Sequence, residues 1–487
     1  MRKTKIICTL GPSTDQEGVL RELVANGMNV ARFNFSHGSH EEHLGRFEKL
    51  KAIREELGKP VAALLDTKGP EIRLKDFKNG VENLVAGQTF TLTTRDVEGT
   101  NEICSITYKD LPMDVEPNGT IMLDDGLIKL QIQTVNDTDI VCTVLNNGKI
   151  KNKKGVNVPG VHLSMPYMSQ RDTSDILFGV EQGFDLISAS FARNAQDIMD
   201  IRHILDEHNS KIRIIAKIEN QEGLDNIDEI IEASYGIMVA RGDLGVELPA
   251  EAIPNAQRRI VEKCICAKRP VIIATQMLYS MVKSPRPTRA EVSDVASAIY
   301  ERVDAVMLSD ETAMGDYPVE AVETMARIAR EIERDETHFK PMIDMDMVSV
   351  NHEITAQLAR SAVRASTNLP VKYVVLDTKT GRTGRYLAAF RGRKTVMAVC
   401  YQLHAQRILA LSYGVVPILR NQELSDRYHF LVDALEFIDQ YRKLQDDDLM
   451  AIVGGSFGPD GGASYLELAD VRGIRRRNEM IAAQNKR

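Results

Sequence analysis

The sequence predicts an α/β protein: a (β/α)8 TIM barrel, an all-β lid domain inserted after the third barrel strand, and a C-terminal α/β domain. Three observations indicate this fold. Apolar runs alternate with amphipathic stretches on both sides of an interruption, the interruption consists of short runs of alternating polarity, and a second strand and helix pattern follows. The length of 487 residues fits about three domains.

The first part of the chain alternates strand and helix patterns. The spacing Thr14-x-x-Glu17 predicts the start of one helix, because a hydroxyl followed three residues later by a carboxylate caps a helix N-terminus. A second helix is expected over Ser39–Leu57. Apolar runs predict three strands at Ile6–Leu10, Met28–Phe33 and Val61–Leu65. This rhythm is typical of a parallel sheet.

Residues 71–158 have a different pattern, with short runs of alternating polarity such as Thr89–Thr93. Turn signals at Asp124–Gly126 and Asn146–Gly148 separate these runs. We therefore predict an inserted all-β domain that lies beside the barrel as a lid.

The barrel pattern resumes after this insertion. Five more strands are predicted at 186–190, 212–218, 236–240, 270–274 and 305–308. With the first three they make the eight that a (β/α)8 barrel requires, over residues 1–70 and 159–344. Periodicity alone leaves a doubly wound open sheet as the alternative.

A third domain is predicted over residues 345–487, which is too short for another barrel. Its apolar runs predict strands at Tyr373–Leu376, Val396–Cys400, Val415–Leu419 and Leu449–Val453. Helical patterns lie between these strands.

Charge and cysteine content exclude several classes of protein. The 61 Lys and Arg against 69 Asp and Glu give a net charge of −8, which disfavours nucleic acid and anionic membranes as partners. No apolar run approaches the ~18 residues of a membrane span. The charged N-terminus precedes too short an apolar stretch for a signal peptide. Six cysteines without paired spacing predict neither disulfides nor a zinc site, so we expect a cytoplasmic protein.

Polar side chains end or follow six of the eight predicted strands. They are Arg32, Asn34 and Ser36, then Asp66 and Thr67, Lys217 and Glu219, Asp243, Thr275, and finally Ser309 and Glu311. In barrel enzymes the loops after the strands converge at the C-terminal mouth. We therefore expect the active site at that mouth.

Two carboxylates and a lysine are candidates for metal and anion chemistry there. The two-residue period of a strand places Lys217 and Glu219 on the same side. Asp243 follows a glycine that lets the backbone approach a ligand. Two carboxylates suit Mg²⁺, which fills its remaining positions with substrate and water. The alternatives are a mutually neutralised Lys and Glu pair, and a helix cap at Asp243.

Other polar residues are candidates for binding anions or a monovalent cation. Arg32 and Arg73 offer planar forks for phosphate or carboxylate. An oxygen cluster with one formal charge could hold a monovalent ion or form a hydrogen-bonded turn: Asn34, Ser36, Asp66 and Thr67. We interpret His37 as an ordinary loop histidine.

This set of residues predicts phosphoryl transfer, which needs positioning and charge neutralisation more than covalent chemistry. No nucleophile with a partner base is recognised, and neither Gly-x-x-x-x-Gly-Lys-Ser/Thr nor His-Glu-x-x-His occurs in the chain. Covalent catalysis is therefore not expected.

Seven stretches, spread in order over essentially the full length, resemble the pyruvate kinase family. They are Lys3–Pro12, Asn34–Gly38, Asp66–Arg73, Lys154–Asn157, Lys217–Asn220, Arg241–Gly245 and Ala274–Leu278. The resemblance implies a barrel with a mobile β lid and a regulatory C-terminal domain. It also implies the last step of glycolysis, in which phosphoenolpyruvate and ADP give pyruvate and ATP.

The resemblance assigns roles to residues of the mouth. Glu219 and Asp243 match ligands of Mg²⁺ (or Mn²⁺), and Lys217 matches the lysine that stabilises the transferring phosphoryl group and the enolate. The family's residues that contact phosphoenolpyruvate match Arg32, Lys217, Gly242, Asp243 and Thr275. Of these, the resemblance places Thr275 near the path that delivers a proton to enolpyruvate.

Further matches concern the nucleotide and a potassium ion. The family's residues on the nucleotide side of the site match Asn34, Arg73 and Lys154. The K⁺ site matches Asn34, Ser36, Asp66 and Thr67. Glu71 is the residue type of K⁺-dependent members of the family, whereas K⁺-independent members carry lysine there.

In the C-terminal domain one loop resembles the family's effector phosphate loop. It consists of Thr378, Lys379, Thr380, Gly381, Arg382 and Thr383. Its hydroxyls, N–H groups and cations suit the phosphate of a sugar or nucleotide, and an ordinary glycine turn is the alternative. The resemblance implies allosteric control in a homotetramer.

One position departs from the family pattern, and two other functions stay open. Asp310 stands where the family commonly has a small residue. A catalytically silent effector-binding or scaffold protein would not need Lys217, Glu219, Asp243 and Thr275 intact. A Mg²⁺-dependent barrel lyase or mutase would need neither the lid nor the oxygen cluster.

Overall fold

The computed structural model describes residues 1–335, 345–351, 353–420, 429–441, 443–455 and 462–484. The chain begins with three strands, β1 (Lys5–Thr9), β2 (Val30–Asn34) and β3 (Ala62–Asp66). Three helices lie between them: α1 (Pro12–Asp15), α2 (Val19–Asn26) and α3 (His40–Glu56). These strands lie within two residues of the predicted ones.

Nine short strands and one helical turn, α4 (Leu111–Asp114), follow β3. The strands are β4 (Ile72–Arg73), β5 (Val81–Leu84), β6 (Thr89–Thr93), β7 (Ile103–Ser105), β8 (Thr120–Leu123), β9 (Ile128–Val135), β10 (Asp139–Val144), β11 (Gly148–Lys151) and β12 (Gly155–Asn157). They form a seven-stranded sheet in the order β4-β12-β8-β9-β10-β6-β7 and a β11-β5 pair. This all-β unit has its own apolar core.

The α/β pattern then resumes. Five strands follow: β13 (Leu186–Ala189), β14 (Arg213–Ile218), β15 (Gly236–Ala240), β16 (Val271–Ala274) and β17 (Ala305–Leu308). Their helices are α5 (Gln170–Gln182), α6 (Ala195–Glu207), α7 (Gln221–Asp225), α8 (Ile227–Ala233), α9 (Arg241–Glu247), α10 (Ile253–Cys266), α11 (Arg289–Tyr300), α12 (Asp310–Ala313) and α13 (Pro318–Arg334).

Eight parallel strands close into one barrel in the order β1-β17-β16-β15-β14-β13-β3-β2. The ring closes through β1, which pairs with β17 on one side and β2 on the other. This closure confirms the predicted TIM barrel over the open sheet. Since every strand runs the same way, the polar residues at the strand ends share one mouth.

After the barrel a mixed sheet forms in the order β20-β19-β18-β21-β22. Its strands are β18 (Val371–Thr378), β19 (Thr395–Cys400), β20 (Val415–Leu419), β21 (Leu449–Gly455) and β22 (Ala463–Asp470). Its helices are α14 (Ile354–Asn368), α15 (Arg382–Ala389), α16 (Leu403–Leu409), α17 (His429–Tyr441) and α18 (Val471–Gln484). The predicted domain boundary at 344 falls at the edge of 336–344, outside the described residues.

Apolar packing joins the barrel to the C-terminal sheet domain. Strand residues such as Ile7 and Met238 fill the barrel interior, and Ile408 and Leu411 of the C-terminal domain belong to the same buried cluster. The barrel and the C-terminal domain therefore share one buried apolar cluster.

Two local features differ from the predictions. The helix expected at Thr14-x-x-Glu17 starts later, at Val19, because Gly18 takes a left-handed φ of +79° and separates it from the short α1. The predicted turn at Asn146–Gly148 does separate two strands, β10 and β11, and β11 pairs with β5. The edge strand β22, antiparallel to β21, was not predicted.

The cysteines are spread over the barrel, the inserted all-β unit and the C-terminal domain. All six cysteines are free thiols. Among the described residues, no helix combines the length and apolar character needed to cross a bilayer.

Candidate active site

Lys217 lies at the centre of a buried polar cluster at the C-terminal mouth of the barrel. Its Nζ lies 2.8 Å from Glu219 Oε1 and 3.5 Å from Asp66 Oδ1. The same Nζ donates a hydrogen bond of 3.0 Å to Ser190 Oγ. Burial alone would lower the pKa of Lys217, but Asp66 and Glu219 together raise it above its ordinary value. Lys217 therefore remains a cation.

Asp66, at the end of β3, holds a second cation beside Lys217. Arg32 Nε donates to Asp66 Oδ2 at 2.6 Å, and Arg32 Nη1 donates to Thr9 Oγ1 at 3.0 Å. Burial would raise the pKa of Asp66, but Lys217 and Arg32 outweigh it and lower the pKa below its usual range. Asp66 therefore fixes the positions of both cations as a carboxylate.

Glu219 is a buried carboxylate that contributes to the lining of a cavity at the mouth. Its Oε2 accepts the backbone N–H of Phe191 at 2.6 Å, and Phe191 adopts a positive φ of 54°. Burial and the neighbouring Asp243 raise the pKa of Glu219, while Lys217 opposes that rise. A cation between the two carboxylates would relieve this repulsion.

Glu219 and Asp243 line a cavity of about 370 Å³ between the lid and the barrel mouth. Glu71 and Asp125 line it from the lid side. Asp243 lies in the first turn of α9. In the described part of the chain no three His, Cys, Asp or Glu side chains are grouped to hold a metal. Glu219 and Asp243 are the carboxylates of this cavity that follow neighbouring barrel strands, and such a pair fits a Mg²⁺ that takes its other ligands from substrate and water.

Thr275 follows β16 in a conformation that is rare for a β-branched residue, with a φ of +69°. Its Oγ1 accepts the Gly242 N–H at 2.7 Å. A Cβ on Gly242 would lie 3.4 Å from this oxygen, which is an ordinary van der Waals contact. Arg241 donates to the Thr275 carbonyl at 3.0 Å and pairs with Asp294. These contacts hold strain at the mouth, as functional sites often do.

The predicted oxygen cluster is assembled at the ends of β2 and β3. Asn34 is in register with Asp66, and Asn34 Oδ1 accepts the Ser36 N–H at 3.2 Å. Thr67 Oγ1 donates to the Ser188 carbonyl at 3.1 Å. The hydrogen-bonded turn is thus present, and these oxygens keep lone pairs for a cation.

Of the three residues predicted for the nucleotide, Arg73 and Lys154 lie in the inserted all-β unit, whereas Asn34 ends the barrel strand β2. Arg73 and Gly155 are in register on neighbouring strands. Arg73 pairs with Glu71 at 2.8 Å, and Lys154 pairs with Asp124 at 2.7 Å. Neither cation lines the 370 Å³ cavity, although Glu71 does.

The predicted effector loop joins β18 to α15, in the C-terminal domain and away from the barrel mouth. Gly381 has a φ of +84°, and its N–H donates to Thr378 Oγ1 at 3.0 Å. Thr378 and Thr383 are buried, whereas Lys379, Thr380 and Arg382 are exposed.

Two residues of the mouth have roles that sequence reasoning missed or left open. Ser190 accepts from Lys217 and lies 3.1 Å from Asp66 Oδ1. It closes the predicted strand 186–190, so the polar end of that strand was a signal. Glu311 is buried and accepts the N–H groups of Leu278 and Ser309, which fixes two loops. His37 and Asp310 are exposed.

A closed (β/α)8 barrel whose mouth holds the cations Lys217 and Arg32 beside a cavity lined by Glu219 and Asp243 defines an enzyme built for an anionic substrate. The family model for the pyruvate kinase barrel domain matches residues 1–322, and that for the pyruvate kinase alpha/beta domain matches 356–468. The chain belongs to the pyruvate kinase family and is a phosphotransferase.

Individual relatives agree with the family models. A pyruvate kinase of Bacillus licheniformis is 44% identical over 498 residues, which cover 100% of this chain and 85% of that protein. One of Staphylococcus haemolyticus is 45% identical over 96% of this chain and 80% of that protein. The crystal structure of a pyruvate kinase from Cryptosporidium parvum superposes with a TM-score of 0.90, at 36% identity and 96% coverage of both chains.

Proposed function

We propose that the barrel mouth transfers the phosphoryl group of phosphoenolpyruvate to ADP, which gives ATP and an enolate that is then protonated to pyruvate. The observation that carries this assignment is Lys217, held as a cation among Asp66, Ser190 and Glu219. Phosphoryl transfer spreads negative charge over the moving group, and a fixed cation stabilises that charge.

Glu219 and Asp243 would hold the divalent cation, Mg²⁺ or Mn²⁺. Both carboxylates line the same cavity, and their mutual repulsion raises the pKa of Glu219 beyond the effect of burial. The bound cation neutralises the charge of the phosphoryl oxygens. At one edge of this site the positive charge of Lys217 offsets the negative charges of the buried carboxylates Asp66 and Glu219.

Arg32 and Thr275 would position phosphoenolpyruvate. The guanidinium of Arg32 is fixed by Asp66 and Thr9, so its orientation needs no reorganisation when an anion binds. Thr275 orients the Gly242 backbone through its hydroxyl. We assign the same hydroxyl to the proton path to the enolate.

The oxygen cluster of β2 and β3 would hold K⁺, and the lid would bind the nucleotide. Oxygen ligands with one formal charge suit a monovalent cation. Arg73 and Lys154 would contact nucleotide phosphates after leaving their acidic partners Glu71 and Asp124. Binding of ADP would thus replace ion pairs within the lid by ion pairs to the ligand.

We further propose a catalytic barrel over residues 1–70 and 159–344, a lid over 71–158 and a regulatory domain over 345–487. The effector loop, Thr378–Thr383, would bind a phosphorylated activator. A cytoplasmic homotetramer is the assembly that accords with the family.

The test is pyruvate formation from phosphoenolpyruvate and ADP with Mg²⁺, run in parallel with K⁺ and with tetramethylammonium in its place. We expect turnover that depends on K⁺. Turnover indifferent to K⁺ would remove the monovalent site but keep the transfer reaction. Absence of turnover in both salts, also with added sugar phosphates or AMP, would contradict the proposed reaction.

A further inference from the structure

Ser190 is a buried serine whose hydroxyl connects neighbouring strands at the barrel mouth. It directly follows β13 and is 2% exposed. Lys217 of β14 donates to Ser190 Oγ at 3.0 Å, and Ser190 Oγ donates to the carbonyl of Thr67, just after β3, at 2.7 Å. Since β13 pairs with β14 on one side and with β3 on the other, this hydroxyl spans the ends of three adjacent strands.

The single proton of this hydroxyl points away from Lys217. An ammonium group only donates hydrogen bonds, so Ser190 Oγ is the acceptor in its contact with Lys217. Two acceptors are within reach of the Ser190 proton: the Thr67 carbonyl at 2.7 Å and Asp66 Oδ1 at 3.1 Å. Both residues belong to the oxygen cluster that we assign to the monovalent cation. The hydrogen bonds therefore run in one direction, from Lys217 through Ser190 to the oxygen cluster.

The backbone of Ser190 is fixed to the same segment. Its N–H donates to Thr67 Oγ1 at 3.2 Å, and its carbonyl accepts the Tyr167 hydroxyl at 3.1 Å. Gly69 has a φ of +70°, and a Cβ there would lie 2.7 Å from the Ser190 carbonyl oxygen, so this close packing requires glycine. A displacement of the segment after β3 would therefore be transmitted to Ser190.

Ser190 is the uncharged member among the oxygen neighbours of the Lys217 ammonium group, which has three N–H donors. Two neighbours are the carboxylates of Glu219, at 2.8 Å, and Asp66, at 3.5 Å. The third is Ser190 Oγ at 3.0 Å, which accepts a directed hydrogen bond without adding negative charge. The carboxylates thus balance the charge of Lys217, and the hydroxyl helps to set its position.

We propose that Ser190 is a positioning residue that couples the oxygen cluster to Lys217, so that a monovalent cation held at the cluster acts on phosphoryl transfer through this hydroxyl. Hydrogen bonds in a chain polarise one another. A cation that engages the Thr67 carbonyl or Asp66 competes with the Ser190 proton for the same lone pairs. Binding at the cluster would thus change how Ser190 holds Lys217. The inference rests on the proposed reaction and monovalent site, and it adds the residue that connects them.

The test compares Ser190→Ala with the parent chain in K⁺ and in tetramethylammonium at equal ionic strength. In each salt the kcat of pyruvate formation and the midpoint of thermal unfolding are measured. The midpoint reports K⁺ binding independently of activity, because a ligand of the folded state stabilises that state. For the parent we expect K⁺ to raise both quantities. For Ser190→Ala we expect the ratio of kcat in K⁺ to kcat in tetramethylammonium to fall about tenfold relative to the parent. The K⁺-induced shift of the midpoint should stay as in the parent.

Ser188→Ala is the matched control. Ser188 lies two residues earlier, within β13, and is also buried, but its hydroxyl has no hydrogen-bond partner among the described residues. The change keeps the Ser188 backbone carbonyl, which accepts from Thr67. This variant should match the parent both in the kcat ratio and in the midpoint shift.

A lowered kcat ratio in Ser190→Ala, with the midpoint shift kept, supports the coupling. An unchanged ratio overturns the coupling and leaves the proposed reaction and the monovalent site intact. Loss of the midpoint shift would mean that Ser190 builds the cation site itself, and an equal fall of the ratio in Ser188→Ala would indicate a general effect on β13; either result overturns the coupling. Turnover of the parent that is indifferent to K⁺ removes the monovalent site, and absence of turnover removes the reaction, in each case together with the coupling.

Discussion

Lys217 Nζ lies 2.8 Å from Glu219 Oε1, on the same side of one barrel strand. The other oxygen, Glu219 Oε2, accepts the Phe191 N–H, and Glu219 and Asp243 line the same cavity. One residue thus supplies the fixed cation of the mouth, and its neighbour supplies a carboxylate for a metal.

The first prediction concerns that carboxylate. Glu219→Gln keeps the side-chain shape but removes one of two charges available to the metal, so Mn²⁺ affinity should fall about tenfold or more. Paramagnetic resonance of Mn²⁺ measures this affinity directly. Glu222→Gln changes a carboxylate that lines the same cavity and should leave the affinity nearly unchanged. Equal Mn²⁺ affinity in Glu219→Gln and the parent would remove Glu219 from the metal site.

The second prediction concerns the hydroxyl of Thr275. Thr275→Val keeps the β-branched shape and deletes the acceptor of the Gly242 N–H. The loss of about one hydrogen bond in the transition state corresponds to roughly a tenfold lower kcat/KM for phosphoenolpyruvate. Thr275→Ser keeps the hydroxyl and should recover most of the rate. Steady-state kinetics of both variants measure this difference. Equal kcat/KM values for Thr275→Val and Thr275→Ser would show that the hydroxyl does not contribute to catalysis.

A third prediction concerns the link between barrel and C-terminal domain. Asp304, just before β17, accepts from Arg391 Nη1 at 3.0 Å and from the Tyr413 N–H at 2.9 Å. Asp304→Ala leaves a buried arginine unpaired, which should cost about 3–5 kcal/mol in denaturant unfolding. Asp228→Ala breaks the exposed pair with Lys263 and should cost less than about 1 kcal/mol. Equal costs for the two variants would refute a structural role for Asp304 in joining the domains.

The fourth prediction is a pH dependence at Asp377, the last residue but one of β18. Burial raises the pKa of Asp377 to about 6, against the smaller opposing effect of its hydrogen bond from Tyr401. The folded chain therefore holds this proton more tightly than the unfolded chain. The stability that Asp377 contributes is complete below its unfolded pKa and is lost as the pH rises through about 6.

Asp377→Asn removes that loss. The variant should be more stable than the parent by on the order of 1–3 kcal/mol at about pH 8, and the difference should vanish at about pH 4. Thermal unfolding at both pH values measures it. Asp447→Asn, at an exposed position, should show no such pH-dependent difference. A variant that is less stable than the parent at the higher pH would contradict a raised pKa.

Much of the barrel could be predicted because apolar runs buried on both faces have a recognisable length and spacing. The barrel strands were found within about two residues, but β22 was missed, since its half-exposed edge lacks a continuous apolar run. The start of α2 was misplaced because a left-handed Gly18 interrupts the helix, and a capping pattern does not encode that interruption.

The site was predictable where chemistry follows a strand end. Lys217, Glu219 and Asp243 stand out as charged residues after apolar runs, whereas Ser190 does not, although it bonds to Lys217. A serine at a strand end is common, and only the register of neighbouring strands brings it to the lysine.

The most direct test of the account is the rate of pyruvate formation by Lys217→Met, measured together with Mn²⁺ binding. We expect kcat to fall by about 10²–10³ or more, because the fixed cation of the mouth is lost, while Mn²⁺ still binds through Glu219 and Asp243. Lys211→Met, at an exposed lysine just before the same strand, should keep the parent rate. Unchanged turnover in a folded Lys217→Met chain would remove Lys217 from the mechanism and contradict the account.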